Sequence, residues 1–356
     1  MDDPQKPNSI FALIKMARNI TSFKQLNGTA GFKEDDTRFM KAVRKVMGAK
    51  ALVNSLKSLD RRQMALASSH FSSRCHSSPV GTLILQDVGC LPVLVDLLAL
   101  EGSKNDGIVG ECLFSLSVMS LEVSPCIELS SMPTLPNRLY HLYRSDNEKF
   151  RRLSAEVVCR IFNQLSNVGM EAGVVKGVFR NQTSSVYEEH NLPSSSTTTL
   201  TSLLISLLHS PNLRITKSAL FTIETLTYHF DNVVALCEVG EDDLKNEIIE
   251  LLKSNDVEIV MMASSVVNGI VSNGRLHPSA LKFSQSNVLL GQLRTTMDFM
   301  SVRGDGNSDF PTYLEIAKEN IASCMFDMYT CLGKERKRFH GPESRREEAL
   351  LKEANR

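Results

Sequence analysis

The 356-residue chain contains no tryptophan, and aromatic residues make up only 6% of it. Neither sign of charge prevails, because 40 Lys and Arg residues balance 40 Asp and Glu residues. Such a balance gives no overall field that would attract nucleic acid or an acidic membrane surface. No apolar run approaches the roughly 18 residues that a membrane-spanning helix needs. We therefore expect neither a membrane span nor nucleic-acid binding.

The eight cysteines form no CxxC pair, the spacing typical of many metal and redox sites. Most lie within apolar helical runs such as AEVVCRIF, so we expect small buried side chains in a reducing compartment. The opening residues MDDPQKPNSI carry acids ahead of a short, interrupted apolar stretch, unlike a secretory signal peptide. We expect a cytoplasmic protein, with the nucleus as an alternative location.

Sequence motifs for catalysis are absent: there is no P-loop, no GxSxG and no HExxH. The segment HFSSRCH brings His70, Cys75 and His76 close in sequence. A zinc site needs about four converging ligands, and three ligands at this spacing do not suit one. We therefore predict a protein that is not an enzyme and that has no cofactor, no bound metal and no small-molecule substrate.

What the sequence does contain is a repeat. The segments LHSPNLRITKSAL and LKSNDVEIVMMAS begin 44 residues apart, and in each a serine is followed nine residues later by alanine. The same interval separates two further serines from a small residue, and at a third it is one residue longer. The five small-residue anchors are Ala67, Cys112, Ala155, Ala219 and Ala263. Only the interval from Ala155 to Ala219 is too long, by about twenty residues, which indicates an insertion.

An amphipathic run precedes each of these serines and a longer apolar run follows it, with apolar residues at helical spacing. Short acidic or amide side chains, which suit the first position before a helix, lie at the corners between the two runs. These corner residues are Asp60, Asn105, Asp146, Asn212 and Asp256. A helical period of 40 to 47 residues predicts an α-solenoid, in which each unit buries its apolar face against its neighbours.

Residues 89–120, GCLPVLVDLLALEGSKNDGIVGECLFSLSVMS, resemble an armadillo repeat, and residues 48–73 are a weaker copy. HEAT-type repeats, which have two helices per unit instead of three, are the alternative. The resemblance implies that the third helix of each unit lines a binding groove. We predict an all-α fold: a right-handed α-solenoid of about five armadillo/HEAT-like repeats with helical caps at both ends.

The predicted domains follow from where the repeat begins and ends. We expect an N-terminal helical cap with a loop over 1–47, in which 8–20 and 36–47 are helices. The repeats fill 48–275, with the insertion at about 168–197. A C-terminal helical cap over 276–333 contains one helix at 277–300 and another at 310–333. A charged tail occupies 334–356.

Importin-type members of the armadillo family place Trp one residue after the small anchor and Asn about five residues after it. This chain has no Trp, and of the second positions only Asn268 matches. The resemblance therefore does not imply nuclear import of basic peptides. It does imply groove positions that would bind a partner, and the candidates are Ser117, Arg160, Glu224 and Asn268.

We predict a non-enzymatic scaffold or adaptor that binds a partner along this groove. The partner would be another protein, presenting a peptide segment or a helix. One alternative is a regulator, of the nucleotide-exchange type, of a heat-shock chaperone or a small GTPase. Another is a structural subunit of a large cytoskeletal or organellar assembly. These alternatives rest on size and helical character, so the sequence leaves them open.

Overall fold

A computed structural model of the chain describes residues 37–58, 60–77, 79–100, 102–167, 199–273, 277–303 and 311–339. All regular secondary structure within these ranges is helical, so the all-α prediction is confirmed. The helix predicted over 8–20 and the insertion at 168–197 lie outside the described residues. The chain divides into two compact units, Met1–Gln164 and Leu165–Arg356.

The first unit contains α1 to α8, and a 3₁₀ turn at Ser103–Asn105 leads into α5. Helix α2 packs against α1, α3 and α5, and α4 packs against α5. The helices are α1 Thr37–Leu56, α2 Arg61–Ser77, α3 Pro79–Asp87, α4 Cys90–Leu97, α5 Asp106–Met119, α6 Val123–Ser130, α7 Leu135–Tyr143 and α8 Glu148–Asn167. Between α3 and α4, Gly89 has φ +74°, a left-handed conformation that glycine adopts without strain.

The second unit contains the remaining helices, and a 3₁₀ turn at Leu207–His209 follows the first of them. They are α9 Leu200–Ser206, α10 Leu213–Thr227, α11 Phe230–Leu251, α12 Val257–Asn273, α13 Pro278–Ser284, α14 Asn287–Arg303 and α15 Pro311–Phe339. Helix α12 packs extensively against α15 on one side and against α10 on the other. The three therefore form a row.

Each of the five predicted anchors lies on the long helix that follows a corner, and none is more than 4% exposed. The long helices are α2, α5, α8, α10 and α12. A small buried side chain lets a neighbouring helix approach closely, whereas a larger one would force it away. The predicted repeat is confirmed at the level of packing.

Three of the predicted corner residues act as helix N-caps. Each accepts a hydrogen bond from the backbone N–H two residues later, which satisfies one of the free donors at the start of the helix. The distances are 2.9 Å for Asp60, 3.0 Å for Asn212 and 3.0 Å for Asp256. Before α8 the bond is made by Asn147, at 3.0 Å, and not by Asp146. The reason is that α8 begins at 148, so Asn147 is the residue that immediately precedes it.

In each unit, a side chain hydrogen-bonds to the C-terminal end of a helix that lies about 40 residues earlier in the chain. In the first, Arg138 of α7 donates to the carbonyl oxygens of Val95 and Asp96 at the end of α4, each at 2.7 Å. In the second, Thr296 of α14 donates to the carbonyl oxygen of Leu252, just after α11, at 3.1 Å. The carbonyl oxygens of Val95 and Asp96 also accept backbone N–H groups from Leu98 and Ala99, so Arg138 adds a second bond to each. The bond from Thr296 gives the Leu252 carbonyl a partner at the end of its helix.

Three helix boundaries differ from the predicted ones. Helix α1 continues to Leu56, past the predicted helix end at 47, and α15 continues to Phe339, past the predicted helix end at 333. The single helix predicted over 277–300 is two helices, α13 and α14. The break occurs where Ser286 Oγ accepts the backbone N–H of Leu289 at 3.2 Å, which begins a new helix.

Seven of the eight cysteines are described and buried, as predicted. Burial raises the pKa of Cys75, Cys112 and Cys126 to about 12, so these thiols stay protonated at neutral pH. Within the described residues, no helix combines the length and apolar character needed to cross a bilayer.

Candidate protein-binding surface

The third helices of the second unit are joined by hydrogen bonds along one face. Asn320 Nδ2 of α15 donates to Ser265 Oγ of α12 at 2.8 Å, and Ser265 lies close enough to Glu224 of α10 to lower the pKa of its carboxyl group by hydrogen bonding. One turn further along, Ser323 Oγ donates to Asn268 Oδ1 at 3.3 Å. We call these five residues the polar ladder. They place two of the predicted groove residues, Glu224 and Asn268, on adjacent helices of one surface.

Glu224 is a half-buried carboxylate whose partners are neutral. Burial raises the pKa of this carboxyl group, and the hydrogen bonds from Ser265 and Tyr228 offset only part of that effect. The Tyr228 hydroxyl lies 3.5 Å from Glu224 Oε1. Within the described part of the chain, no lysine, arginine or histidine forms an ion pair with Glu224.

Two large rings flank Glu224 on the exposed side of α10. Phe221 is 54% exposed and Tyr228 is 66% exposed. They lie three residues before and four residues after Glu224, and that spacing puts all three side chains on one side of a helix. Aromatic residues are few in this chain, and large exposed apolar groups close together are typical of interaction surfaces.

At the N-terminal end of the same helices, the charges are paired within the protein. Lys217 Nζ of α10 lies 2.9 Å from Asp256 Oδ2 and also contacts the Glu258 carboxylate. Hydrogen bonds to Glu258 and then Asp256 raise the pKa of Lys217. Burial acts to raise the pKa of Asp256, but the hydrogen bonds from Lys217 and from backbone N–H groups outweigh that effect. The pKa of Asp256 therefore lies below its ordinary value.

In the first unit, the other two predicted groove residues contact each other. Arg160 Nη1 of α8 donates to Ser117 Oγ of α5 at 2.7 Å and also to its carbonyl oxygen. The Ser117 hydroxyl donates to Glu156 Oε2 at 2.9 Å, and Glu156 forms ion pairs with Arg160 and Arg152. Ser117 is only 2% exposed, so it acts through its neighbours and offers almost no surface of its own.

Solved structures of designed proteins resemble the chain closely enough to define its fold. Computationally designed armadillo repeat proteins for modular peptide recognition align over 78% of this chain and 99% of their own, with 13% identity and a TM-score of 0.51. The chain has an armadillo-like fold. Another engineered protein aligns over 90% of this chain and 68% of its own, with 16% identity and a TM-score of 0.52. No family model and no curated protein matches the chain.

The armadillo-like units explain why polar contacts recur between third helices. Units of three helices are visible at α3 to α5, α6 to α8 and α13 to α15, and in each the third helix is the longest or among the longest. Helix α11 departs from this pattern, because it is one continuous helix of 22 residues. Helix α15 adds a further third helix beyond the five that carry the anchors.

In each of the two units, some polar or exposed residues of the long helices were not among the predicted candidates. The predicted groove positions lie one and five residues after each anchor, whereas Phe221 and Tyr228 lie two and nine residues after Ala219. Glu111, which accepts a hydrogen bond from Ser72, lies outside these positions, and Glu156 lies one residue after Ala155 but was not among the candidates. The two serine–glutamate pairs share a separation of 39 residues, close to the repeat length, and that regularity could have identified them.

The structure describes two of the three side chains considered in HFSSRCH. His70 is exposed whereas Cys75 is buried, and the His76 side chain lies outside the described residues. Across the described ranges, no three or more His, Cys, Asp or Glu side chains are grouped so that they could hold a metal ion.

Proposed function

We propose that the chain is a non-enzymatic scaffold that binds a segment of another protein along the exposed face of its third helices. The observation that carries the proposal is the polar ladder of α10, α12 and α15 beside the exposed rings of Phe221 and Tyr228. This surface offers both hydrogen-bonding groups and apolar area, the combination found at the centres of protein interfaces.

The spacing of the helices suits an extended peptide. Packed helices lie about 8–10 Å apart, and an extended chain advances about 3.3 Å per residue. About three peptide residues would therefore span one helix-to-helix step, and a segment of six or seven residues would cross all three third helices. The designed armadillo proteins that share this fold were made for modular peptide recognition, which supports the proposal that this chain also binds a peptide.

Partner binding is also the step that the alternative functions share. A nucleotide-exchange regulator and a subunit of a large assembly would both need a surface of this kind to engage their partner. Binding to the third-helix face is therefore the property to test first, since the consequence of binding depends on the partner's own chemistry.

A selection from a random displayed peptide library, carried out on the full chain, tests the proposal. We expect selected peptides to bind with a Kd in the micromolar range and to lose at least tenfold in affinity when Phe221 and Tyr228 are both replaced by Ala. Val288→Ala is the matched control, because Val288 is a 69% exposed apolar residue on α14. Equal affinity for the double variant and the control would contradict the proposal.

A further inference from the structure

Within the described residues, the groups that hydrogen-bond Glu224 are neutral, and none supplies a positive charge. Asn320 Nδ2 donates to Ser265 Oγ, so the Ser265 hydroxyl proton is available to bond the Glu224 carboxylate. The Tyr228 hydroxyl supplies the second bond. Both donors are neutral, and within the described residues no ion pair with Glu224 occurs. A half-buried carboxylate in this state would gain from an opposite charge delivered by a ligand.

The next acidic residues along this surface differ from Glu224, because they have a cationic partner within the protein. Asp256 and Glu258 both contact the Lys217 ammonium group, so their charges are already compensated inside the protein. A cation arriving with a partner would have to displace Lys217 from those two carboxylates. At Glu224, the described partners that a cation would meet are the neutral hydroxyl groups of Ser265 and Tyr228. Among the described residues, the two ends of the surface therefore favour different chemistry, and the Glu224 end is the one that favours a cation from outside.

The rings beside Glu224 supply a second source of attraction for a cation. Phe221 and Tyr228 are both more than half exposed, and both lie on the same side of α10 as Glu224. The face of an aromatic ring attracts a guanidinium or ammonium group through its quadrupole. The apolar stem of an arginine or lysine side chain can also pack against the rings while its charged end reaches the carboxylate.

We propose that Phe221, Glu224 and Tyr228 form a receptor for a positively charged side chain of the bound partner segment. Arginine and lysine share the required charge, and arginine adds a planar group that can stack on a ring and pair with both carboxylate oxygens. This inference rests on the proposed function and deepens it, because it states which side chain the partner must present at this point of the surface.

The test uses the full chain and the peptides selected from the random library. Each peptide is synthesised with a fluorescent label, and its Kd is measured by anisotropy for the wild-type chain and for Glu224→Gln. We expect the peptides to contain arginine or lysine at one fixed position and to lose about tenfold or more in affinity for Glu224→Gln. Replacing that peptide residue by glutamine should cost a similar factor for the wild-type chain and little for the variant.

Two further variants separate this receptor from a general effect of charge or folding. Asp243→Asn removes one exposed acidic charge from α11 and should change affinity less than about twofold. Tyr228→Phe keeps the ring and should retain most of the affinity, whereas Tyr228→Ala should lose about fivefold. Circular dichroism of each variant confirms that its helices are intact.

The outcomes distinguish this inference from the function on which it rests. Peptides that depend on Phe221 and Tyr228 but contain no conserved cation would overturn the inference and leave the peptide-binding function standing. An equal loss of affinity for Glu224→Gln and Asp243→Asn would also overturn the inference. Failure of every selected peptide to depend on the third-helix face would overturn both.

Discussion

Gly269 of α12 lies directly against Thr227 of α10: a Cβ atom added to Gly269 would be 2.0 Å from Thr227 Oγ1. Thr227 is fully buried, and its carbonyl oxygen accepts a hydrogen bond from Asn273 Nδ2 at 2.7 Å. The two helices therefore approach so closely at this point that only glycine fits. Both helices carry residues of the polar ladder, so the position of that ladder depends on this contact.

Replacing Gly269 by Ala should destabilise the protein. Alanine favours a helix over glycine by about 1 kcal/mol, but the methyl group would collide with Thr227 and force the helices apart. Overpacking of this kind costs about 1–3 kcal/mol, so we expect a net loss of unfolding free energy in urea titrations. Gly291→Ala is the control, since nothing lies within 4 Å of its added Cβ, and it should stabilise the chain by about 0.5–1 kcal/mol. Equal effects of the two changes would contradict the close contact.

The contribution of Lys217 to stability should depend on pH. Asp256 has a folded-state pKa below its ordinary value of 3.8, so the stabilisation it provides is present above that value and is lost as the pH falls through the lower, folded pKa. Lys217 has a folded-state pKa above its ordinary value of 10.5, so its stabilisation is lost as the pH rises through that raised pKa. Both contributions are therefore present between these limits.

Comparison of wild type with Lys217→Met by urea unfolding across this pH range measures the effect. Because the three side chains are partly exposed, we expect a difference of only about 0.5–1 kcal/mol near neutral pH. The difference should shrink when Asp256 is protonated at acid pH. A difference that stays constant down to about pH 2 would show that the ion pairs contribute nothing and that the methionine side chain acts through packing alone.

Ser117 and Arg160 should be energetically coupled. Arg160 donates to both the hydroxyl and the carbonyl oxygen of Ser117, and both residues contact Glu156. In a double-mutant cycle of Ser117→Ala and Arg160→Met, we expect a coupling energy of about 0.5–1.5 kcal/mol in the free energy of unfolding. Asp243→Asn combined with Arg160→Met serves as the uncoupled reference. Full additivity of the Ser117 and Arg160 changes would contradict the network.

The buried cysteines should resist thiol reagents until the protein unfolds. Burial raises the pKa of three of them to about 12, which leaves almost no reactive thiolate at pH 7–8. A Cys331→Ser variant retains only the seven buried cysteines, and in native buffer it should give no rapid reaction with a disulfide reagent. All seven should react once urea is added. Rapid native-state reaction of one or more thiols would show that a helix carrying a cysteine opens locally.

The repeat architecture could be predicted because it is a local, periodic property of the sequence. A small residue nine residues after a serine, as Ala263 is after Ser254, identifies four of the long helices without knowledge of their neighbours, and a fifth has one residue more. Helix ends were less predictable, because a single side chain decides them. Ser286 divides the helix predicted over 277–300 into α13 and α14, because its hydroxyl group caps the start of α14. Its sequence context resembles that of many serines within helices, so the division was not predicted.

The candidate site could be predicted only in part, because exposure depends on which neighbour covers each residue. The spacing rule selected Ser117, but α8 brings Arg160 and Glu156 against it and buries it. The same rule passed over Phe221, whose exposure on α10 depends on the position of the adjacent helices. Relationships of this kind arise between segments about 40 residues apart, and the sequence pattern of one segment does not contain them.

Photo-cross-linking with a selected peptide tests the central claim most directly. The peptide carries a photoreactive residue at each position in turn, and the cross-linked residues of the full chain are identified by mass spectrometry. The proposed scaffold predicts cross-links on the exposed faces of α10, α12 and α15, with Phe221, Asn268 and Ser323 or their neighbours among them. Cross-links confined to α11 or α14, with none on the third helices, would contradict it.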